Sequence, residues 1–215
     1  SKKISKPIFL PQFFSIEEFI ESISDLKVID NVSLQFYLYS SYLSITDSKK
    51  ETFNEFLNWG NTLLQDFNDI DTNMVDAKSL FTNIKNVKEL ENWNLEQWSF
   101  SNDNLTQKQR EYIDFFSSLY LVYENYKNLL LNNKYAYQGL ANLVAAQKIN
   151  SSNINWNRVW FVGLNALTKS QHLIIDNLKQ RNIARVFWDA DKYYMENNDH
   201  EASFFLKQQK NKWSE

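Results

Sequence analysis

Three glycines and two prolines in 215 residues set the first limit on this fold. An all-β chain turns roughly every ten residues and spends glycine and proline to do so. A sandwich or barrel is therefore excluded, and the same shortage argues against a glycine-rich phosphate cradle. Material for a core is ample: 43% of the residues are apolar and 16% aromatic, with 16 Phe, 11 Tyr and 7 Trp. Such a composition rules out a disordered or fibrous chain. There is no cysteine, which removes disulfides and thiolate metal sites, and the two histidines leave little for zinc. The composition reads as a soluble, mostly helical, intracellular protein.

Charge is nearly balanced at −3, but unevenly placed. Residues 1–100 carry 9 basic and 15 acidic side chains, and residues 101–215 carry 14 and 11. The asymmetry is too mild to predict nucleic-acid binding by itself, since such domains usually present a strongly basic face. No apolar run reaches the ~18 residues of a membrane span. The opening Ser-Lys-Lys-Ile-Ser-Lys lacks the pattern of a signal peptide, and the chain begins without Met.

Along the chain, Pro7-Ile8-Phe9-Leu10-Pro11 suits a short strand fenced by prolines. Ser15-Ile16-Glu17-Glu18 is a capping box, followed by Ile16, Phe19, Ile20 and Ile23 at helical spacing. A second helix is expected from Asp30 to about Ile45 with Val32, Phe36, Tyr39 and Leu43 on its apolar face. A second capping box, Ser48-Lys49-Lys50-Glu51, predicts a helix to about Asn68. A short helix from Asp76 and a loop-rich stretch holding Trp93 and Trp98 follow, with a turn cluster at 101–104. Thr106 to Asn132 reads as the longest helix, with a broad stripe from Tyr112 and Phe115 to Leu130, and a further helix covers Ala136 to Lys148.

The pattern then changes. Val159-Trp160-Phe161-Val162 and Ala184-Arg185-Val186-Phe187-Trp188 are short apolar runs of the kind found in parallel strands buried on both faces. A third capping box, Thr168-Lys169-Ser170-Gln171, opens a helix between them, and a last helix begins near Asp199. Strand–helix–strand–helix is the signature of a parallel α/β unit. The expected fold is thus α/β but predominantly helical: a helical block over 15–150, inserted between an N-terminal strand and an α/β unit over 151–215.

Few residues offer chemistry. Asp189 and Asp191 follow a predicted parallel strand, where open α/β sheets bind ligands. They can hold magnesium or orient a phosphate, or simply cap the next turn; no second acidic cluster accompanies them, so no metal site is expected. The preceding strand ends in Val162-Gly163, where a nucleotide hydrolase needs an acid. His172 and His200 read as surface or capping residues, because no nucleophile is placed beside either. Trp93, Trp98 and Trp156 can stack on bases, although core packing is the commoner use of tryptophan.

These strand ends carry a resemblance. Val159-Trp160-Phe161-Val162-Gly163-Leu164-Asn165-Ala166-Leu167-Thr168-Lys169-Ser170-Gln171 resembles the Walker B segment of superfamily I helicases of the UvrD and Rep type. It resembles more nearly the AddB-type subunit of bacterial helicase–nuclease complexes. Val162 and Gly163 fall on the acid pair, and Gln171 on the glutamine beyond it. Val186-Phe187-Trp188-Asp189-Ala190-Asp191-Lys192 resembles the third helicase motif, with Trp188 in place of Gly and Lys192 in place of Gln. The helical block sits where those helicases insert their helical 1B subdomain.

The resemblance, to inactivated superfamily I helicases of Bacteroidota type with a C-terminal PD-(D/E)XK nuclease domain, implies a P-loop-NTPase-like 1A domain made of 1–14 and 151–215. Residues 15–150 would be its 1B-like insertion. The chain would be an N-terminal portion, with the Walker A loop before Ser1 and the nuclease after Glu215. Without the acids at Val162 and Gly163 it should not hydrolyse ATP, and no cofactor is expected. The implied role is DNA binding and assembly with an active AddA-like subunit, in double-strand-break repair in a bacterial cytoplasm. The implied DNA contacts are basic side chains of the second half: Lys108, Arg110, Lys127, Lys148 and Lys169. The alternative from another class is a helical protein–protein interaction scaffold with no nucleic-acid role, which the acidic first half favours.

Overall fold

The structure, a computed structural model, describes residues 10–45, 51–91, 107–150, 156–197 and 201–213, with side chains described outside 85–113. The expected strand at 8–10 falls mainly outside the described residues, as do Trp93, Trp98 and His200. Helix α1 (Ile16–Ser24) begins at the Ser15–Glu18 capping box, with Glu18 N donating to Ser15 Oγ at 3.2 Å and Ser15 N to Glu18 Oε2 at 2.8 Å. Its buried Phe19, Ile20 and Ile23 are the residues the periodicity selects.

Helix α2 (Asn31–Ile45) has the expected span but another inward face. Leu34, Leu38 and Tyr42 are buried, while Val32 and Phe36 are 65% and 53% exposed. Apolar residues surround this helix, so periodicity had no polar side against which to orient it. Phe36 instead stacks on Phe53, with ring centroids 4.4 Å apart.

Helix α3 (Phe53–Thr72) starts later than the Ser48 box predicts. Thr52 is the N-cap: Thr52 N donates to Glu55 Oε2 at 2.8 Å, and Glu55 N to Thr52 Oγ1 at 3.4 Å. Glu51, the acid of the predicted box, is taken elsewhere: its carbonyl accepts from Tyr39 Oη and its carboxylate from Trp59 Nε1. Helix α4 (Ala77–Glu91) is longer than the short helix expected, and α5 (Gln107–Asn132) matches its stripe, burying Leu119, Val122, Tyr123, Tyr126 and Leu130.

Two strands were not legible. β1 (Lys27–Val28) and β2 (Tyr135–Ala136) pair in parallel, fastening the end of α1 to the turn after α5. Two residues are too few to show an alternation. Helix α6 (Gln138–Lys148) then packs against α3 and α1. Tyr137 gives it no side-chain cap, and Asn68 of α3 supplies one instead, its Oδ1 accepting from Gly139 N at 2.8 Å.

At the centre lies Asp71, 1% exposed in the last turn of α3. Its Oδ1 accepts from the Tyr123 hydroxyl of α5, and its Oδ2 from the Tyr137 hydroxyl at the entry to α6. Lys127 Nζ lies 3.7 Å from Asp71 Oδ1 and donates to Tyr123 Oη at 3.0 Å. Burial and the facing carboxylate push both phenols well above the ordinary tyrosine range, so both stay protonated as donors.

The parallel unit forms as predicted in order and direction. β3 (Val159–Val162) pairs in parallel with β4 (Ala184–Phe187), and α7 (Lys169–Gln180) connects them. Its inner face joins the helical core: Phe161 meets Phe19 edge to face at 5.4 Å, and Ile174, Ile175 and Leu178 of α7 are fully or nearly fully buried. Burial on both faces, however, is not what the strands have. Trp160, Val162 and Phe187 on the outer face are 63%, 67% and 45% exposed. An unbroken apolar run marks a strand fit for double burial; among the described residues, packing elements cover one side only. A short helix α8 (Lys192–Glu196), a 3-10 turn at Glu201–Ser203 and α9 (Phe204–Trp213) complete the described chain. Among the described residues no helix is long and apolar enough to cross a membrane.

Candidate functional site

The strand ends of the β3–β4 unit are where the sequence places its motifs. Val162 closes β3, and Gly163 turns the chain with φ of 70°, its N–H donating to Phe187 O at 3.0 Å. Only glycine takes that left-handed turn without the strain of a Cβ. Neither residue brings a polar side-chain atom to the strand end. Asp189 is exposed. Asp191 is the N-cap of α8, its Oδ1 accepting from Tyr193 N at 2.7 Å, and Lys192 pairs with Glu196 at 3.7 Å on the exposed side of that helix. Of the two uses open to Asp191, capping is the one observed. Among the described residues no group of three or more His, Cys, Asp or Glu is placed to hold a metal ion.

Gln171 is likewise engaged locally. It completes the Thr168 capping box, with Gln171 N donating to Thr168 Oγ1 at 3.3 Å and Thr168 N to Gln171 Oε1 at 3.1 Å. Ser170, fully buried, donates to Thr72 O at 2.9 Å and so docks the start of α7 on the end of α3. Lys169, between them, points to solvent.

Beside Lys169 the outer side of α7 forms an open depression of about 410 Å³, lined among others by Asn150, Lys169, His172, Asp176, Asn177 and Lys212. Helix α9 is fastened along it. Lys212 Nζ lies 2.8 Å from Asp176 Oδ2, Trp213 Nε1 donates to Asp176 Oδ1, and the Trp213 ring lies 5.1 Å from that of His172. Gln209, 3% exposed, has its amide nitrogen 3.0 Å from His172 Nε2 and its Oε1 without a partner. The imidazole can accept from Gln209 Nε2 at its Nε2, or from Lys212 Nζ at its Nδ1, 3.4 Å away, and either role takes a ring nitrogen without a proton. The arrangement requires a neutral imidazole.

Burial, with Lys212 adding to it and Asp176 opposing, holds His172 below the ordinary histidine value of 6.5. The proton then binds more readily to the unfolded chain. The contribution of His172 to stability is present above that ordinary value and is lost as pH falls through the lower folded one. The thermal midpoint should therefore fall between pH 7 and pH 5 more steeply in the native chain than in His172→Gln. Equal slopes for the two proteins in a calorimetric pH series would refute the assignment.

The five basic residues singled out as DNA contacts do not share one environment. Lys127 is in the Asp71 network with its side chain 18% exposed, and it lies over the Tyr123 ring at 4.6 Å. Lys148 donates to Ser24 O, closing the carbonyl end of α1. Lys169 is exposed beside the depression. Lys108 and Arg110 lie on the first turns of α5, with side chains outside the described set. Lys212, which the sequence did not single out, joins Lys169 and His172 around the depression. His172 and Asp176 at i and i+4 were a readable helix-face pair, but nothing in the sequence says that α9 meets that face.

No family model matches the chain, and a search of curated proteins finds no match.

Proposed function

We propose that the chain is the non-catalytic, degenerate helicase-like portion of an AddB-like DNA-repair helicase–nuclease, acting through DNA binding and complex assembly. The observation that carries the proposal is the parallel β3–α7–β4 unit with Val162-Gly163 at the end of β3. In the helicase pattern that point belongs to the acids that hold magnesium and position water. Here Val162 is apolar, Gly163 serves the turn, and Gln171 serves a helix cap. The unit would be part of a P-loop-NTPase-like 1A domain, and the preceding helices its 1B-like insertion.

The chain is accordingly expected neither to hydrolyse ATP nor to bind it tightly. Titration calorimetry with magnesium-ATP checks this, and an affinity in the micromolar range would overturn it. The nucleic-acid half is tested by anisotropy of a labelled single strand, for which weak binding without sequence preference is expected. Failure to bind at any salt would favour the second reading, a helical interaction scaffold. That alternative draws support from Lys127 and Lys148, whose ammonium groups are already engaged within the fold.

A further inference from the structure

Helix α9 is held on α7 by polar groups and one indole ring. Its one buried residue is Gln209, while Phe204 and Phe205 are 55% and 48% exposed. A surface helix ordinarily turns an apolar stripe to the core; this one turns Gln209, Lys212 and Trp213 to α7. Gln209 Nε2 lies 3.0 Å from His172 Nε2, and Lys212 Nζ 3.4 Å from His172 Nδ1. One turn further along α7, Asp176 Oδ2 lies 2.8 Å from Lys212 Nζ, and Asp176 Oδ1 accepts from Trp213 Nε1. The Trp213 ring lies 5.1 Å from that of His172 and 5.7 Å from that of Trp188, with Lys179 Nζ 5.6 Å from its centroid. The start of the helix is tied to its neighbour in the chain instead: Lys207 Nζ donates to Asn197 O, and Ser203 Oγ to Tyr194 O.

We propose that His172 and Asp176 form a clasp for α9 that opens when His172 takes a proton. His172 is the one member of the clasp whose ordinary titration falls between pH 5 and 8. A charged imidazole donates from both nitrogens. Its Nδ1–H then stands against the Lys212 ammonium, like charge against like in a partly buried site. Turning the Gln209 amide gives the Nε2–H an acceptor but leaves that repulsion in place. The charged ring also lies one turn from Asp176 on the same helix, and so draws on the carboxylate that Lys212 and Trp213 share. Protonation thus exchanges ties between the two helices for a pair within α7. Lys169 and Lys179, the other cations on this side of α7, stay beside the site whether α9 is docked or not, and do not drive the change. Release uncovers Trp188 and the face of α7 around the depression. It leaves the core of α3, α5 and α6 intact, because α9 gives that core no buried apolar residue.

This inference does not depend on nucleic-acid binding. Hydrogen exchange of the whole chain, read by mass spectrometry at pH 7 and pH 5 and corrected for the intrinsic pH dependence of exchange, follows each helix separately. Protection of α9 should fall about threefold or more at the lower pH, while that of α6 holds. In His172→Gln, which keeps a polar side chain but cannot titrate, α9 should be equally protected at both values. Lys212→Met, which leaves the imidazole and removes the charge facing it, should shrink the fall. Protection of α9 that is absent at pH 7 or unchanged by pH would overturn the inference. So would an equal loss in α6, or a fall that persists undiminished in either variant.

Discussion

Asp71→Ala should lower the stability of the chain by ~3–5 kcal/mol, the range for removing one member of a buried, hydrogen-bonded charge cluster. The loss has three parts, all from groups that remain. The Tyr123 and Tyr137 hydroxyls lose their acceptor, and the largely buried Lys127 ammonium loses its counter-charge. Because these groups belong to α5, the α6 entry and the end of α3, the substitution loosens three elements at once. Tyr123→Phe, which removes one donor and leaves the carboxylate with Tyr137 and Lys127, should cost only about 1–2 kcal/mol. Urea denaturation checks both. A loss below about 1 kcal/mol for Asp71→Ala would show that the cluster does not hold the helices together.

Gly139→Ala should be the next most damaging change. Alanine normally favours a helix over glycine by ~1 kcal/mol, so a helix-propensity argument predicts stabilisation. The contact between α3 and α6 predicts the opposite. A Cβ at 139 would stand 2.3 Å from the Asn68 carbonyl oxygen and 2.8 Å from Thr72 Oγ1. Backbone cannot rotate aside as a side chain can, so the helices must separate and strain the Asn68 bond to Gly139 N–H. The net cost should be about 2 kcal/mol once the propensity gain is subtracted. A denaturation midpoint equal to or above that of the native chain would show that the two helices are not in the close contact described.

How much of this was legible follows from the length scale of each signal. Capping boxes are local, and Ser15 and Thr168 were readable because the hydrogen bonds they make span three residues. Ser48 misled for the same reason: a box-like spelling occurs there, but Thr52–Glu55 closes the helix start and Glu51 bonds to Tyr39 and Trp59. The inward face of α2 was not readable because apolar residues surround the helix, and only contact with α3 and α5 decides which of them are buried. Asp71 gave no signal at all. Its partners lie 52 and 66 residues away, and an acid late in a helix reads as a solvated one until Tyr123 and Tyr137 are brought to it.

The candidate site divides in the same way. The strand ends were evident from spacing, with Gly163 closing the first apolar run; the left-handed turn there and the exposure of Lys169 come from the structure. The engagement of Lys127 and Lys148 was not evident either, because their partners come from α3 and α1. These two lysines therefore leave the set worth reversing in charge, since altering Lys127 would disturb the Asp71 cluster rather than a nucleic-acid contact. Lys108, Arg110 and Lys169 remain.

The most direct test of the proposed role is the salt dependence of single-strand affinity, measured by anisotropy for the native chain and for a Lys108→Glu, Arg110→Glu, Lys169→Glu variant. If these residues neutralise phosphates, the logarithm of affinity should fall linearly with the logarithm of salt, by about 0.7 per contact on single strands. The triple reversal should weaken binding and flatten that slope. Binding that ignores salt, or that survives the triple reversal undiminished, would contradict the account.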